Sequence, residues 1–225
     1  DPQKVIEGNE RVIRPRLADA AFFYKNDAKI SLETRRSNLK TVVFQDKLGS
    51  LYDKTIRVAA LSKKIAKRIG ADQTLAERAA LISKSDLITD MVGEFADLQG
   101  IMGRYYAIAD GEHPDVAEAQ LEQYLPRFSG DDVPATAVGA TLAISDKLDT
   151  IVGIFSIGQQ PSGSRDPFAL RRASLGVLRI IINRAIDLDL NDAINIAGNQ
   201  LKLDNKALEL IRKQVLAYVL ERFKS

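Results

Sequence analysis

The chain has 225 residues, 32 Lys+Arg against 30 Asp+Glu, no cysteine and a single histidine. That length supports a sizeable core, while the absence of cysteine excludes a disulfide framework and thiolate metal sites and suits a reducing cytoplasm. One histidine, His113 in the polar loop DGEHPD, cannot build a multi-histidine metal centre or a Cys/His dyad; its flanks predict a solvated loop residue. With a formal net charge of +2, nucleic-acid contact is confined to local basic patches. No run of about 18 apolar residues is present to span a membrane, and the polar start DPQKVIEGNE lacks a signal-peptide pattern. GxGxxG, GxxxxGK[ST] and GxSxG are also missing.

Helical periodicity predicts an all-α chain with helices over 9–27, 47–69, 73–84, 98–109, 113–124, 136–155, 167–186 and 205–223. The segments GADQ, ADGEHPD, PRFSGDDVP and GQQPSGS separate them. In helix 47–69, Val58, Leu61, Ile65 and Ile69 form the apolar stripe. Lys54 projects between Leu61 and Ile65, so it either snorkels from the helix start or faces an internal cleft. Arg57, Lys64 and Arg68 border the same stripe. In helix 136–155, Leu148, Ile151 and Phe155 make the apolar face, with Gly139, Asp146, Asp149 and Gly153 opposite or flanking it. Glycines beside carboxylates predict a closely approaching backbone.

The stretch GQQPSGSRDPFALRRASLGVLRII is the most specific. Asp166 reads as an N-cap and Pro167 as the first helical residue. At about 100° per residue, Arg172 and Arg179 share a stripe with Phe168 and Leu175, while Val177, Ile180 and Ile181 cover other faces. Such a helix is expected to be buried nearly all round. Its guanidinium groups then need partners, either carboxylates of this chain or an external phosphate. Asp146 and Asp149 are the carboxylates expected to pair with Arg172 and Arg179.

Several long segments resemble one family. They are ERVIRPRLADAAFFYKND (10–27), FQDKLGSLYDKTIRVAALS (44–62), AALISKSDLITDMVGEFADLQGIMGRYYA (79–107), LEQYLPRFSGDDVP (121–134), AISDKLDTIVGIFSIGQQPSG (143–163) and SRDPFALRRASLGVLRII (164–181). In this order they resemble the beta subunit of the bacterial tetrameric glycyl-tRNA synthetase, over roughly residues 9–190. Asp1-Pro2 and the closing ERFKS read as the ends of an internal-to-C-terminal piece of that subunit.

The resemblance implies an orthogonal helical bundle similar to the HD domain, whose active members hydrolyse phosphate esters at a metal site. It implies a connecting segment over 1–45, a degenerate HD-like domain over 46–186, and the start of a following helical region over 187–225. On that alignment Lys54 stands at the first histidine, Ser83 and Lys84 at the His-Asp pair, and Asp146 at the distant aspartate. One carboxylate beside two ammonium groups cannot hold a dication. The expectation is a domain with no catalytic residue and no metal.

The family further implies a role in aminoacylating tRNA(Gly), with ATP and Mg2+ used by the alpha subunit of an α2β2 assembly. This piece, itself without cofactor, is then a cytoplasmic, non-membrane, tRNA-binding or scaffolding part. Five arginines against one acid between Arg165 and Arg184 make that segment the first RNA candidate. Arg165 and Arg171 lie nearest the loop, where a planar guanidinium suits phosphate. Arg57, Lys64 and Arg68 form a second patch or an ordinary solvated helix face, and Arg104 beside Tyr105 and Tyr106 could stack on an unpaired base. The competing readings are an active metal-dependent phosphohydrolase, opposed by the single histidine, and a helical spacer whose arginines pair internally.

Overall fold

The computed structural model describes residues 1–223, and they form an all-α fold with one small hairpin. Helix α1 (Pro2–Asp27) leads through α2 (Leu32–Arg35) and a 3-10 turn to strands β1 (Val43–Gln45) and β2 (Gly49–Ser50). α3 (Leu51–Ile69) and α4 (Gln73–Ile82) form a helical pair, followed by the short α5 (Asp90–Glu94). Next come α6 (Ile101–Ala109), α7 (Pro114–Glu122) and α8 (Ala137–Ser156). α9 (Leu170–Asn183), α10 (Leu190–Gly198) and α11 (Asn205–Phe223) complete the described fold.

Local chemistry sets these boundaries. α3 starts four residues later than the periodicity predicts because Ser50 and Asp53 form a reciprocal capping box directly after the hairpin. It stops at Gly70, whose φ of +72° is the left-handed C-cap that a glycine adopts without cost. α9 likewise begins at Leu170, so Pro167 is not its first residue. Asp166 still caps it from a distance, accepting from the Leu170 and Arg171 amides at 2.8 and 2.9 Å. His113 is exposed, as expected of a loop residue, and its Nδ1 accepts the Asp115 amide at the start of α7.

α8 is the axis of the molecule and is buried on nearly every face. Ile144, Leu148, Ile151 and Phe155 join one core with Leu61 and Ile65 of α3, Val177 and Ile180 of α9, and the apolar faces of α10 and α11. Val138 and Leu142 join a second core with Val58 and Ala59 of α3, Ala79 and Ile82 of α4, and Val116 of α7. The described part of the C-terminal segment, residues 187–223, packs into the first core alongside α8 and α9. The glycines of α8 admit side chains and not the backbone expected. A Cβ on Gly139 would overlap the Glu122 carboxylate, and one on Gly153 would lie 3.0 Å from Leu48 Cδ1.

The expectation for α9 needs correction. It is amphipathic: Val177 and Ile180 are buried, but Arg172 is exposed and Leu175 is 43% exposed. The wheel angle was right, yet the face bearing Arg172 and Leu175 meets solvent.

Candidate functional site

The positions assigned to the degenerate metal site do converge, with one exception. Lys54, one turn into α3, is buried and faces inward, which resolves the alternatives left by its projection. Its Nζ donates to Thr150 Oγ1 at 2.8 Å, Asp149 Oδ2 at 3.0 Å and the Asp146 carbonyl at 3.3 Å. Asp146 Oδ1 lies 3.4 Å away, and the Phe44 ring covers the ammonium at 4.7 Å. Lys84 follows the end of α4 in a left-handed conformation, φ +69°, which is unusual for a residue with a Cβ. Its Nζ donates to Asp146 Oδ2 at 3.2 Å and lies 4.3 Å from the centre of the Tyr124 ring. Ser83 is the exception. It is buried, but its hydroxyl donates back to the Ala80 carbonyl at 2.6 Å and closes α4.

The charges answer one another across three elements. Burial would push the Asp146 carboxyl up, but Lys54, Lys84 and Lys147 hold it well below the usual range. Lys54 is desolvated too, yet Asp146 and Asp149 together raise its pKa. For Lys84, burial outweighs Asp146 and the net direction is down. Lys147, which sequence reasoning passed over, is pushed down to about 8 by burial. Its Nζ donates to the carbonyls of Gln123 and Leu125 at 3.2 and 2.8 Å. Its stem crosses Gly176 of α9, where a Cβ would lie 2.8 Å from Lys147 Cε.

This residue set does not fit the divalent metal implied by an HD-type site. The Asp146 carboxylate has an ammonium on each oxygen, so an entering dication would displace two lysines and meet their charge. Among the described residues, no group of three or more His, Cys, Asp or Glu is placed to hold a metal.

The arginines are distributed differently from the sequence expectation. Arg57, considered for RNA, instead turns inward: Nε and Nη2 hold Asp149 at 2.8 and 3.2 Å, and Nη1 donates to the Leu48 carbonyl at 2.9 Å. Asp149 is thus answered by Lys54 and Arg57, not by Arg172 or Arg179. Arg179 reaches the carbonyls of Phe128 and Asp131 at 3.1 and 2.6 Å, tying α9 to the loop before α8. Arg172 has no carboxylate partner among the described residues. Arg171 donates to the Gly163 carbonyl, and Arg68 pairs with Asp192 of α10. Arg104 contacts Glu118 at 3.4 Å and lies 5.2 Å from the centre of the Tyr105 ring. Lys64 and Arg165 are exposed, the latter in a turn whose backbone pairs Ser162 with Arg165.

Beside the cluster opens a cleft of about 620 Å³. Asp146, Lys147 and Thr150 of α8 form one wall, and Phe168, Arg172 and Ala173 another. Gln123, Tyr124 and Arg127 from the segment after α7 also line it. No motif singles out those three residues, and only the fold brings them to Asp146.

Comparison with known proteins places the chain in a family. The glycyl-tRNA synthetase beta subunit family model matches residues 1–225. The glycine–tRNA ligase beta subunit of Marinobacter nauticus is 59% identical over 228 residues, covering all of this chain and 32% of the relative. Those of Chromohalobacter salexigens and Histophilus somni are 58% and 54% identical, each covering all of this chain and 33% of the relative. The chain spans about a third of the length of the curated relatives it matches. With a match along its whole length, the chain belongs to the glycyl-tRNA synthetase beta subunit family.

Proposed function

We propose that this chain is a non-catalytic, tRNA-binding and scaffolding part of a glycine–tRNA ligase, supporting aminoacylation of tRNA(Gly) by a separate alpha subunit. The observation that carries the non-catalytic half is the lysine-filled pocket at Asp146. An ammonium pair neutralises the carboxylate that a metal-dependent hydrolase would need free, and the single histidine is exposed at the start of α7. ATP and Mg2+ then belong to the alpha subunit of an α2β2 enzyme working in the cytoplasm.

The RNA-binding half rests on family membership and on cations left facing solvent, Arg165, Lys64 and Arg172. The spacer reading also has a specific observation behind it, since Arg57, Arg68 and Arg179 all take partners within the chain. Titrating the full-length subunit with tRNA separates the two. Affinity that falls linearly in log–log form with salt, and weakens in Arg165→Ala, is expected of an RNA-binding surface. Absence of binding at low salt would leave the spacer reading.

A further inference from the structure

The cleft beside Asp146 carries charge and hydrogen-bonding capacity that the salt-bridge cluster does not consume. Its lining includes Arg127, Lys147 and Arg172 against Asp97 and Asp146. Asp146 is already answered from behind by Lys54 and Lys84, so the lining presents a positive surplus. Arg127 is exposed and shares its charge with Asp131 at 3.1 Å, whereas Arg172 has no carboxylate partner among the described residues. Deeper in, Gln123 is only 1% exposed. Its amide nitrogen donates to the Gln120 carbonyl, while its Oε1 is buried with no hydrogen-bond partner. Tyr124 Oη, in the same wall, is likewise buried without a partner. Buried polar atoms of this kind cost stability unless something satisfies them.

Resting on the tRNA-binding reading above and deepening it, we propose that this cleft takes an unpaired 5′-phosphorylated nucleotide. Arg172, with Arg127, meets the phosphate as a bidentate donor. Phe168, in the same wall as Arg172, supplies an aromatic side chain against which the base packs. The cleft volume lies within the range of sites for small organic ligands. An acidic protein segment would satisfy the arginines but would leave the aromatic side chain unused. The nucleotide can arrive as part of an RNA or free, and the chemistry that holds it is the same.

The test uses the full-length subunit in its assembled enzyme, with tRNA and adenosine 5′-monophosphate as probes. Arg172→Ala touches no contact of the Lys54–Asp146–Asp149 cluster, so folding is expected to be unchanged. It should weaken tRNA binding about tenfold and lower the slope of log affinity against log salt by about 0.7. Arg172→Lys should keep the slope and recover only part of the affinity, because a point charge lacks the planar fork. Monophosphate binding that disappears in Arg172→Ala identifies a site open to free nucleotide. Loss of tRNA affinity without any monophosphate binding identifies a site filled from RNA. If Arg172→Ala changes neither ligand, the proposal is overturned, and an Arg165→Ala defect in the same assay would leave the broader tRNA reading intact. If the wild-type enzyme binds no tRNA, that broader reading fails and the cleft is decided by the monophosphate alone.

Discussion

Asp149 is the residue on which the buried charges depend. It accepts from Lys54 at 3.0 Å and from Arg57 at 2.8 Å, and its side chain is 3% exposed. Asp149→Asn leaves a buried and a half-buried cation short of an anion and should destabilise the fold by about 3–5 kcal/mol in urea denaturation. Lys54→Met should cost less, about 2 kcal/mol or under, because Asp149 keeps Arg57 and Asp146 keeps Lys84. Lys147 gives a pH signature. Its native pKa of about 8 lies below the ordinary 10.5, so between these values the unfolded chain binds the extra proton. Stability therefore rises with pH across that window, by about 3 kcal/mol at most from Lys147, and Lys147→Met should reduce the rise, leaving the part that Lys84, also pushed down, contributes. Lys54, with its pKa raised, acts in the other direction only above its ordinary value. The inward projection of Lys54 could be read from spacing, and the place of Lys84 and Asp146 from the family resemblance. Their partners could not, since Asp149 lies 92 positions from Arg57 and no local pattern encodes that contact.

Among the elements, α3, α4, α6, α7, α8, α9 and α11 were legible, whereas α2, α5, α10 and the hairpin were not. α3, α8 and α11 carry enough turns for an apolar stripe to stand out from noise. α10 follows the LDLDL turn directly, with Asp189 capping its start and Ala193, Ile194, Ile196 and Ala197 buried, so its apolar spacing merges with the alternation of that turn. β1 and β2 pair over so few residues that no alternation can be recognised. For α9 the periodicity located the arginine stripe correctly but could not say which stripe faced water. The α7–α8 junction makes a sharper element-scale prediction. Glu122 accepts from the Ala135 and Thr136 amides at 2.6 and 3.1 Å, and Gly139 leaves the room it occupies. Gly139→Ala would place a Cβ 2.8 Å from Glu122 Cβ, which no rotamer change relieves, so a loss of about 2 kcal/mol or more is expected. Gly8→Ala on α1 meets nothing within 4 Å and should instead stabilise that helix by up to about 1 kcal/mol by circular dichroism melting.

Across the whole molecule, the two cores share α3 and α8, and the charged cluster lies where those helices meet. α1 is different: its C-terminal turns pack Ala20 and Phe23 on the second core, while Val5, Ile6, Val12, Ile13 and Leu17 stay exposed. That division was not legible, because both halves of α1 carry similar apolar spacing and only tertiary contact distinguishes them. The position of α8 between both cores has a kinetic corollary. Its peptide hydrogens cannot meet deuterium by the opening of either core alone, so they should exchange only through complete unfolding. Those in the first turns of α1 should be replaced within the dead time of the measurement. A urea series monitored by mass spectrometry would then show α3 and α8 sharing one opening free energy. Two separate values would mean that the shared helices do not join the cores into a single cooperative unit.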